Sequence, residues 1–386
     1  MKYIVTNFAY GFGPFLRTTE IALAINDQLK ILGREPLGII VPWVYGEKQR
    51  AIMLEEFGVH NKNIFLDVGL GKTLSKVFYG HNSYEESLRV FCEESDSLGT
   101  EAFKHLSGKI KVETMSGERS LIKGSDIVLE INRTPRIYYG VSPSYSVTFG
   151  HISEILSETL GVSEKKIAVN RKIVEKAIGK ARGIEEKQCL IALSHPGTFS
   201  YLNDRKWVAH REVIVPPTIY PSQVSHEPMA PGIFVTVTGI PGLERLYEEA
   251  HSLGLKIYTN DPIRVPGGSH LSPHLANNNG ILLHFARSGW GSVWLSQLSG
   301  NPIVVPEFDP VDDPEIYFNN VCIERLGLGV VYRGQHLDSL IREIEYLKPS
   351  VANFNDSLKR RFGTLDGQRS SARLIVKDWL EKDGGA

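Results

Sequence analysis

The sequence predicts an α/β protein built from two doubly wound parallel sheets. The chain has 386 residues, which is long for one hydrophobic core and suits two domains. Residues 3–6 and 281–285 are apolar runs typical of buried parallel strands. Each run continues through a glycine-bearing turn, at 7–14 and 288–292, into a helical pattern. We therefore expect two Rossmann-like domains facing a central cleft, where ligands of such proteins usually bind.

The first half continues as an alternation of strands and helices. An amphipathic helix is expected at 15–32, because its apolar residues follow helical spacing and Gly33 ends the pattern. A strand at 37–41 then completes the opening strand–helix–strand unit. The further predictions for this half are strands at 63–66 and 126–131 and a long helix at 83–106.

The second half resumes this alternation after a polar region with helical spacing at 152–186, which we expect to cross between the domains. Strands are predicted at 188–194, 233–238, 255–258 and 302–306, helices at 243–253 and 360–382, and a loop at 363–367. The predicted division is a domain at 1–160, a crossover at 161–186, a domain at 187–360 and a helical segment at 361–386 that packs back on the first domain.

Composition excludes several classes of partner. The net charge is −1, so no global field attracts nucleic acid or an anionic membrane. The chain opens directly in a predicted strand, and no apolar stretch approaches the length of a membrane span. Cys92, Cys189 and Cys322 are far apart and odd in number, which favours a reducing compartment over a disulfide framework. We expect a cytoplasmic protein, and the sequence leaves its oligomeric state open.

The turn at 288–292 is the most informative local feature. Glycines there let backbone N–H groups approach a ligand closely, and a helix predicted to open near Val293 adds the free amides of its first turn. Arg287, at the strand end, offers a forked cationic donor to the same anion. This arrangement favours phosphate binding, although many α/β proteins use such a turn only to make the bend.

Further anchors lie on both sides of this turn. Pro273-His274 begins fourteen residues before Arg287, and Gly300-Asn-Pro302 and Pro306 follow it. Glu315, Asn319 and Gly327-Leu-Gly329 come next. In this order the C-terminal half resembles the GT-B glycosyltransferases, in particular the macrolide-type and plant small-molecule enzymes that use UDP- or TDP-sugars. The N-terminal loop resembles that family's Gly-x-Gly-His-x-x-Arg pattern.

The resemblance implies a role for each matching residue. The implied diphosphate-binding residues are His274, Arg287, Ser288, Gly289, Gly291 and Ser292. The implied donor-sugar residues are Glu315 and Asn319, for which capping of a helix near Pro314 is the structural alternative. The implied N-terminal loop residues are Gly11, Gly13 and Arg17, and Arg17 either pairs with Glu20 or reaches the cleft.

Several family positions carry a different residue here. Pro14 replaces the loop histidine that deprotonates the acceptor in many of these enzymes, and Arg287 replaces the diphosphate-binding histidine. Leu295 occupies the position of the family's ribose-binding glutamate, Leu271 that of its base-stacking aromatic residue and Ile316 that of its sugar-binding glutamine. The phosphate-binding features are therefore kept, while the positions that recognise base and sugar are altered.

Because Pro14 cannot accept a proton, another residue must act as the base. His81, Glu130 and His151 are the candidates, since they lie near predicted strand ends or turns. Each has an ordinary alternative. His81 would be solvated in a turn, Glu130 would pair with Arg133, and His151 would begin a helix.

The acidic loop at 309–313 invites a metal interpretation, because clustered carboxylates bind Mg²⁺. A proline-bearing acidic loop is more often a solvated turn, so we expect no metal and no cofactor. The expected activity is metal-independent, inverting transfer of a sugar from a nucleoside-diphosphate sugar to an unidentified acceptor. A non-catalytic GT-B relative that binds a nucleotide or glycan and a nucleotide-sugar 2-epimerase-like enzyme remain alternatives.

Overall fold

The computed structural model describes residues 1–60, 62–77, 83–205, 211–219, 228–236, 243–272 and 278–382. Within this part of the chain, strands form one nine-stranded and one six-stranded sheet. We call the larger sheet with its helices the first lobe, and the smaller sheet with its helices the second lobe. Among the described residues, no helix is long and apolar enough to cross a membrane.

The first lobe contains nine strands and seven helices among the described residues. Its strands are β1 (Tyr3–Phe8), β2 (Gly38–Pro42), β3 (Ile64–Asp67), β4 (Lys109–Thr114), β5 (Arg119–Lys123), β6 (Ile127–Arg133), β7 (Ser144–Thr148), β8 (Leu190–Ser194) and β9 (Glu212–Val215). Its helices are α1 (Phe12–Ile31), α2 (Gly46–Phe57), α3 (Val68–Ser75), α4 (Tyr84–Leu106), α5 (Ile152–Leu160), α6 (Arg171–Glu185) and the C-terminal helix described below. The strand order is β5-β4-β3-β2-β1-β6-β7-β8-β9.

The second lobe has fewer strands and helices than the first among the described residues. Its strands are β10 (Gly232–Val235), β11 (Lys256–Thr259), β12 (Ser269–His270), β13 (Ile281–Phe285), β14 (Ile303–Pro306) and β15 (Gly329–Tyr332), in the order β12-β11-β10-β13-β14-β15. Its helices are α7 (Leu243–Ser252), α8 (Trp290–Leu298), α9 (Pro314–Leu326) and α10 (Leu337–Phe362). All described pairings in this sheet are parallel, as expected for an α/β fold.

The strands follow the apolar runs of the sequence. Residues of β1, β2, β3 and β13 are almost all buried, because helices cover both faces of these parallel strands. The predicted two-sheet α/β architecture is confirmed. The sequence missed the antiparallel edge strands β4 and β5, whose polar alternation lacks a continuous apolar run. Of the predicted strand at 233–238, residues 237–238 lie outside the described residues.

One sheet assignment from the sequence is wrong. The strand predicted at 188–194 is expected to open the second domain, but β8 pairs with β7 and β9 in the first sheet. Helix α6, in the expected crossover, likewise packs on α4 and α5 of the first lobe. The reason is that an apolar run identifies a buried strand without identifying its partners, which lie far away in sequence.

The C-terminal helix returns to the first lobe. Helix α10 ends at Gly363, whose φ of 72° is left-handed, and α11 (Gly367–Lys382) follows. Helix α11 packs along α1, where the Gln368 side-chain amide donates to the carboxylate of Glu20. At its far end, the Tyr145 hydroxyl donates to Asp378 Oδ2 at 2.9 Å. The chain thus crosses between the lobes a second time.

Two tryptophans of α8 join the lobes. Trp290 Nε1 donates to Thr198 Oγ1 at 3.2 Å, and Trp294 Nε1 donates to the Pro196 carbonyl at 2.9 Å. Both acceptors belong to the turn that follows β8, in the first lobe. Phe199 and Phe318 add a ring contact between the lobes at 5.1 Å. Because buried indole N–H groups need acceptors, these bonds fix the start of α8 against the first lobe.

A methyl group at Gly197 should weaken this junction. Its Cβ would lie 2.3 Å from the Phe149 carbonyl oxygen and 2.7 Å from that of Ser194, so the turn must shift. We expect Gly197→Ala to lower the free energy of unfolding by about 1–3 kcal/mol, measured by urea denaturation. Gly179→Ala is the matched control, because a Cβ at this position meets no described atom within 4 Å. Gly179 lies in helix α6, where replacing glycine by alanine raises the free energy of unfolding by up to about 1 kcal/mol. Equal effects of the two changes would contradict the prediction.

Candidate functional site

The strand orders locate one site in each lobe where a ligand is expected. The order reverses between β1 and β6 in the first sheet and between β10 and β13 in the second. In parallel α/β sheets, ligands bind at the carboxyl ends of the strands beside such a reversal. In the first lobe, the carboxyl ends of β1 and β6 are followed by the loop before α1 and formed by Arg133, respectively. In the second lobe, residues 286–289 follow the carboxyl end of β13.

The turn at the second-sheet reversal is built for access to backbone amides. Helix α8 begins at Trp290, three residues earlier than the sequence suggested, with Gly289 as its N-cap. Ser288 is buried and its hydroxyl donates to the Ile316 carbonyl at 3.4 Å, which anchors the turn. Gly289, Gly291 and Ser292 are partly exposed, whereas Trp290 is buried. The Gly289 amide donates to the Arg287 carbonyl at 2.8 Å and the Ser292 amide to the Gly289 carbonyl at 3.0 Å. Because first-turn amides have no acceptor four residues earlier in the helix, the amides of Trp290 and Gly291 are the ones that could donate to an anion.

Helix α1, which follows the N-terminal loop, lies opposite this turn. Outside the backbone of α8 itself, the nearest atom to a Cβ built on Gly291 is Arg17 Nε, at 3.9 Å. Arg17 forms the expected ion pair with Glu20 and also approaches α8, while its role in a ligand site stays a prediction. Its Nε atom is buried and has no hydrogen-bond partner among the described residues.

The glycines of this loop have different roles. Gly11 has a φ of 114°, which favours glycine, and its amide donates to the Tyr45 hydroxyl at 2.6 Å. Gly13 and Pro14 lie in the first turn of α1, which begins at Phe12 and not at residue 15. The loop therefore ends earlier than predicted, and Gly13 has open space around its Cα.

Arg133 is a cleft residue that the sequence did not single out. It ends β6 and is only 3% exposed, and its guanidinium carbon lies 5.3 Å from the Phe149 ring and 5.2 Å from the Trp294 ring. Burial, followed by the positive charge of Arg17, lowers the pKa of Arg133 to about 9. Its Nη1 atom has no hydrogen-bond partner among the described residues. An arginine at the carboxyl end of a strand predicted to be buried was the signal that could have revealed it.

Glu315 and Asn319 fix the back of the α8 turn. The Asn319 amide donates to the Ser288 carbonyl at 2.8 Å and to Glu315 Oε1 at 3.0 Å, and its oxygen accepts from Trp290 Nε1 at 2.9 Å. Removal of the Glu315 carboxyl from solvent, followed by the negative charge of Asp313, raises its pKa above the usual range. The N-cap of α9 is Asp313, whose side chain accepts from the Glu315 amide, so neither Glu315 nor Asn319 caps that helix.

Arg287 lies at the exposed rim of the turn. Its Nη2 atom donates to both carboxylate oxygens of Asp312 at 2.6 Å, and about half of its side chain is exposed. Asp309 accepts from the Val311 amide at 3.1 Å, as in a solvated turn. Among the described residues, no group of three or more potential metal ligands is found.

Two of the three candidate bases lie in buried networks of the first lobe. Glu130 is fully buried and accepts from the side-chain amides of Asn7 at 2.9 Å and Asn132 at 3.3 Å, instead of pairing with Arg133. His151 is 2% exposed and its Nε2 lies 2.6 Å from Glu212 Oε2. These contacts favour a structural role for both residues. His81 and His274 lie outside the described residues.

Three of the altered family positions are buried apolar residues. Leu271 and Leu295 belong to one apolar cluster with both α8 tryptophans, and Ile316 is also buried. None of these three aliphatic side chains can hydrogen-bond to a ribose or a sugar hydroxyl.

The turn after β8 borders a separate cavity of about 480 Å³. The Ser194 hydroxyl lies 2.8 Å from Thr218 Oγ1, and Thr198 accepts from Trp290, so both side chains have structural partners. Burial, followed by the charge of Arg361, lowers the pKa of His195 to about 4, which keeps this ring neutral at pH 7.

Comparison with solved structures identifies the fold. The chain is similar to the glycotransferase of kitacinnamycin (TM-score 0.62, 11% identity), covering 98% of this chain and 99% of that one. It is also similar to the glycosyltransferase SnogD from Streptomyces nogalater (TM-score 0.58, 12% identity) and to Phytolacca americana UGT2 in complex with UDP-2fluoro-glucose and pterostilbene (TM-score 0.59, 13% identity), with the same coverage. The chain therefore has the GT-B fold. No family model and no curated protein matches the sequence.

The buried carboxyl of Glu130 should make stability depend on pH. Burial raises its pKa to about 7, so the native state holds this proton more tightly than the unfolded chain does. The associated stability is fully present below the unfolded pKa, near pH 4.5, and is lost as the pH rises through 7. Between pH 5 and pH 8, we expect this group to lower the unfolding free energy of the wild type by about 2–3 kcal/mol. Glu130→Gln should lack this decrease, as measured by urea denaturation at each pH.

Glu118→Gln serves as the control, because Glu118 is exposed in the β4–β5 hairpin. A pH profile of Glu130→Gln that matches wild type would show that Glu130 does not titrate in this range.

Proposed function

We propose that the protein is a glycosyltransferase that uses a nucleoside-diphosphate sugar as donor. The observation that carries this proposal is the position of the α8 start. It lies at the strand reversal of the second sheet, with Gly291 facing Arg17 of the first lobe, in a chain that shares the GT-B fold over nearly its whole length. A diphosphate in this position would contact both lobes.

The chemistry of such a transfer suits these groups. The leaving diphosphate gains negative charge as the glycosidic bond breaks, and preorganised donors stabilise that charge without reorganising. Amides of the first turn of α8 and the guanidinium of Arg287 supply such donors. In this proposal positive groups of the chain take the role of a metal, and transfer proceeds by direct displacement with inversion.

Glu315 and Asn319 support the same proposal at the sugar end of the donor. Glu315 is partly exposed beside the α8 turn, and Asn319 holds its carboxylate in place. The carboxylate has an oxygen left to accept from a sugar hydroxyl. Leu271, Leu295 and Ile316 leave the identity of base and sugar open, while the ligands of the UGT2 structure, UDP-2fluoro-glucose and pterostilbene, motivate testing UDP-sugars first.

Ligand-dependent thermal stability tests the donor class. A ligand that binds the native state raises the melting temperature in proportion to the logarithm of its concentration above Kd. We expect at least one of UDP, TDP and GDP, or their glucose conjugates, to raise the melting temperature, with the free nucleosides as controls. No shift with any diphosphate at millimolar concentration would contradict the proposal.

The ion pair between Arg287 and Asp312 gives a matched pair of variants. Arg287→Ala removes a charge-assisted donor, so it should weaken diphosphate binding by about 1.5–3 kcal/mol, or roughly 10- to 100-fold in Kd. Asp312→Asn removes the competing carboxylate, so it should leave the affinity unchanged or raise it. Isothermal titration with UDP, TDP and GDP measures both effects. Unchanged affinity in Arg287→Ala would remove this residue from the site.

A non-catalytic, nucleotide-binding relative is the second candidate. The observation that favours it is the combination of Pro14 with the burial of Glu130 and His151 in hydrogen-bonded networks. Hydrolysis of UDP-glucose, TDP-glucose or GDP-glucose without acceptor, followed by release of the diphosphate, separates the candidates. We expect slow turnover that is lost in Arg287→Ala. Tight binding with no turnover of any donor or acceptor mixture would favour the binding protein.

A further inference from the structure

We propose that Arg133 and Arg17 of the first lobe form, together with the first turn of α8, a two-sided clamp for the diphosphate group. The identity of the ligand rests on the proposed function. The existence of an anion site between the lobes rests on contacts of these residues alone. In this clamp Arg133 is the principal cation, and Arg287 is an accessory donor at the rim.

Arg133 combines deep burial with a donor that has no acceptor among the described residues. It ends β6, next to the strand reversal of the first sheet, and it is 97% buried. Its guanidinium stacks between Phe149 of the first lobe and Trp294 of α8, which holds its plane. One of its terminal nitrogens nevertheless has no acceptor. Buried guanidinium groups are normally hydrogen-bonded to carboxylates, carbonyls or ligands, so an open donor here indicates a ligand position.

Arg17 brings a second cation to the same place. Its Nε atom lies 3.9 Å from the Cβ position of Gly291, in the first turn of α8, and this nitrogen also has no acceptor. The two arginines are close enough for Arg17 to disfavour the charged form of Arg133. Each guanidinium thus has one N–H group without an acceptor among the described residues, and that of Arg17 lies beside the start of α8.

Two nearby carboxylates, those of Glu20 and Glu315, offset the positive charge of this cluster only in part, and each opposes the lowering of the Arg133 pKa. Glu20 is held by Arg17 and by the Gln368 amide, and it faces α11. Glu315 is bound to Asn319, and its raised pKa reduces its negative charge near neutral pH. The excess of positive charge therefore suits a compact polyanion better than a neutral sugar or a single carboxylate.

Arg50 provides a matched control for this geometry. Its guanidinium also stacks on a tryptophan, 4.6 Å from the ring of Trp43, but it is already paired with Glu47 and Glu113. Arg50→Met and Arg133→Met thus remove the same groups from similar aromatic contacts. Only Arg133→Met removes an open donor at the cleft.

The experiment titrates the full-length protein with inorganic pyrophosphate and, separately, with UDP, by isothermal calorimetry. We expect wild type to bind pyrophosphate, Arg133→Met to weaken it at least tenfold, Arg133→Lys to recover part of the loss, and Arg50→Met to bind as wild type does. Arg17→Gln, at a partly exposed helix position, should weaken pyrophosphate binding several-fold. This variant tests the clamp if Arg133→Met fails to fold.

Comparing pyrophosphate with UDP distinguishes failure of the clamp from failure of the proposed function. Wild-type affinity for pyrophosphate in folded Arg133→Met or in Arg17→Gln overturns the clamp, even if UDP binding supports the proposed function. Arg133-dependent binding of pyrophosphate without binding of any nucleoside diphosphate supports the clamp and counts against the proposed function. A wild-type protein that binds neither pyrophosphate nor UDP also overturns the clamp.

Discussion

The position of the α8 helix start depends on three hydrogen bonds donated by two indole groups. Trp290 and Trp294 are nearly inaccessible to solvent, and within the described part of the chain their N–H groups donate to the first-lobe turn at 196–198 and to Asn319. A buried indole donor without an acceptor costs stability, so the second lobe is held in one orientation at this point. Because the same helix begins with Gly289 and Gly291, this constraint also sets where the free amides face the first lobe.

Positive charge gathers around that helix start. Arg17 and Arg133 approach from the first lobe and Arg287 from the rim, while Asn319 and Ser288 shape the turn from behind. The positions at which the resemblance implies recognition of base and sugar carry leucine or isoleucine, buried in the core. The proposed diphosphate contacts therefore come from other residues.

Apolar runs and glycine turns predicted the parallel strands and the α8 turn, because these are local features. The GT-B architecture was implied by the resemblance of the motifs in the C-terminal half. The sequence assigned 190–194 to the wrong sheet and overlooked Arg133. Both depend on pairings between segments distant in the chain, such as β8 with β7 and Arg133 with Trp294. The partner of Arg287 and the cap of α9 were missed for a similar reason. The acidic loop offered several equivalent carboxylates, and only its folded shape selects Asp312 and Asp313.

The sequence by itself determined the fold class and the position of the glycine turn proposed to hold an anion, since backbone conformation at glycines and burial of apolar strands follow from nearest neighbours in the chain. Tertiary structure alone decided which charged groups meet at that turn. Open donors on Arg17 and Arg133, and the burial of Glu130 and His151, arise from packing between distant elements. A side chain's charge, accessibility and partners are properties of its surroundings, and those exist only once the two lobes have closed around it.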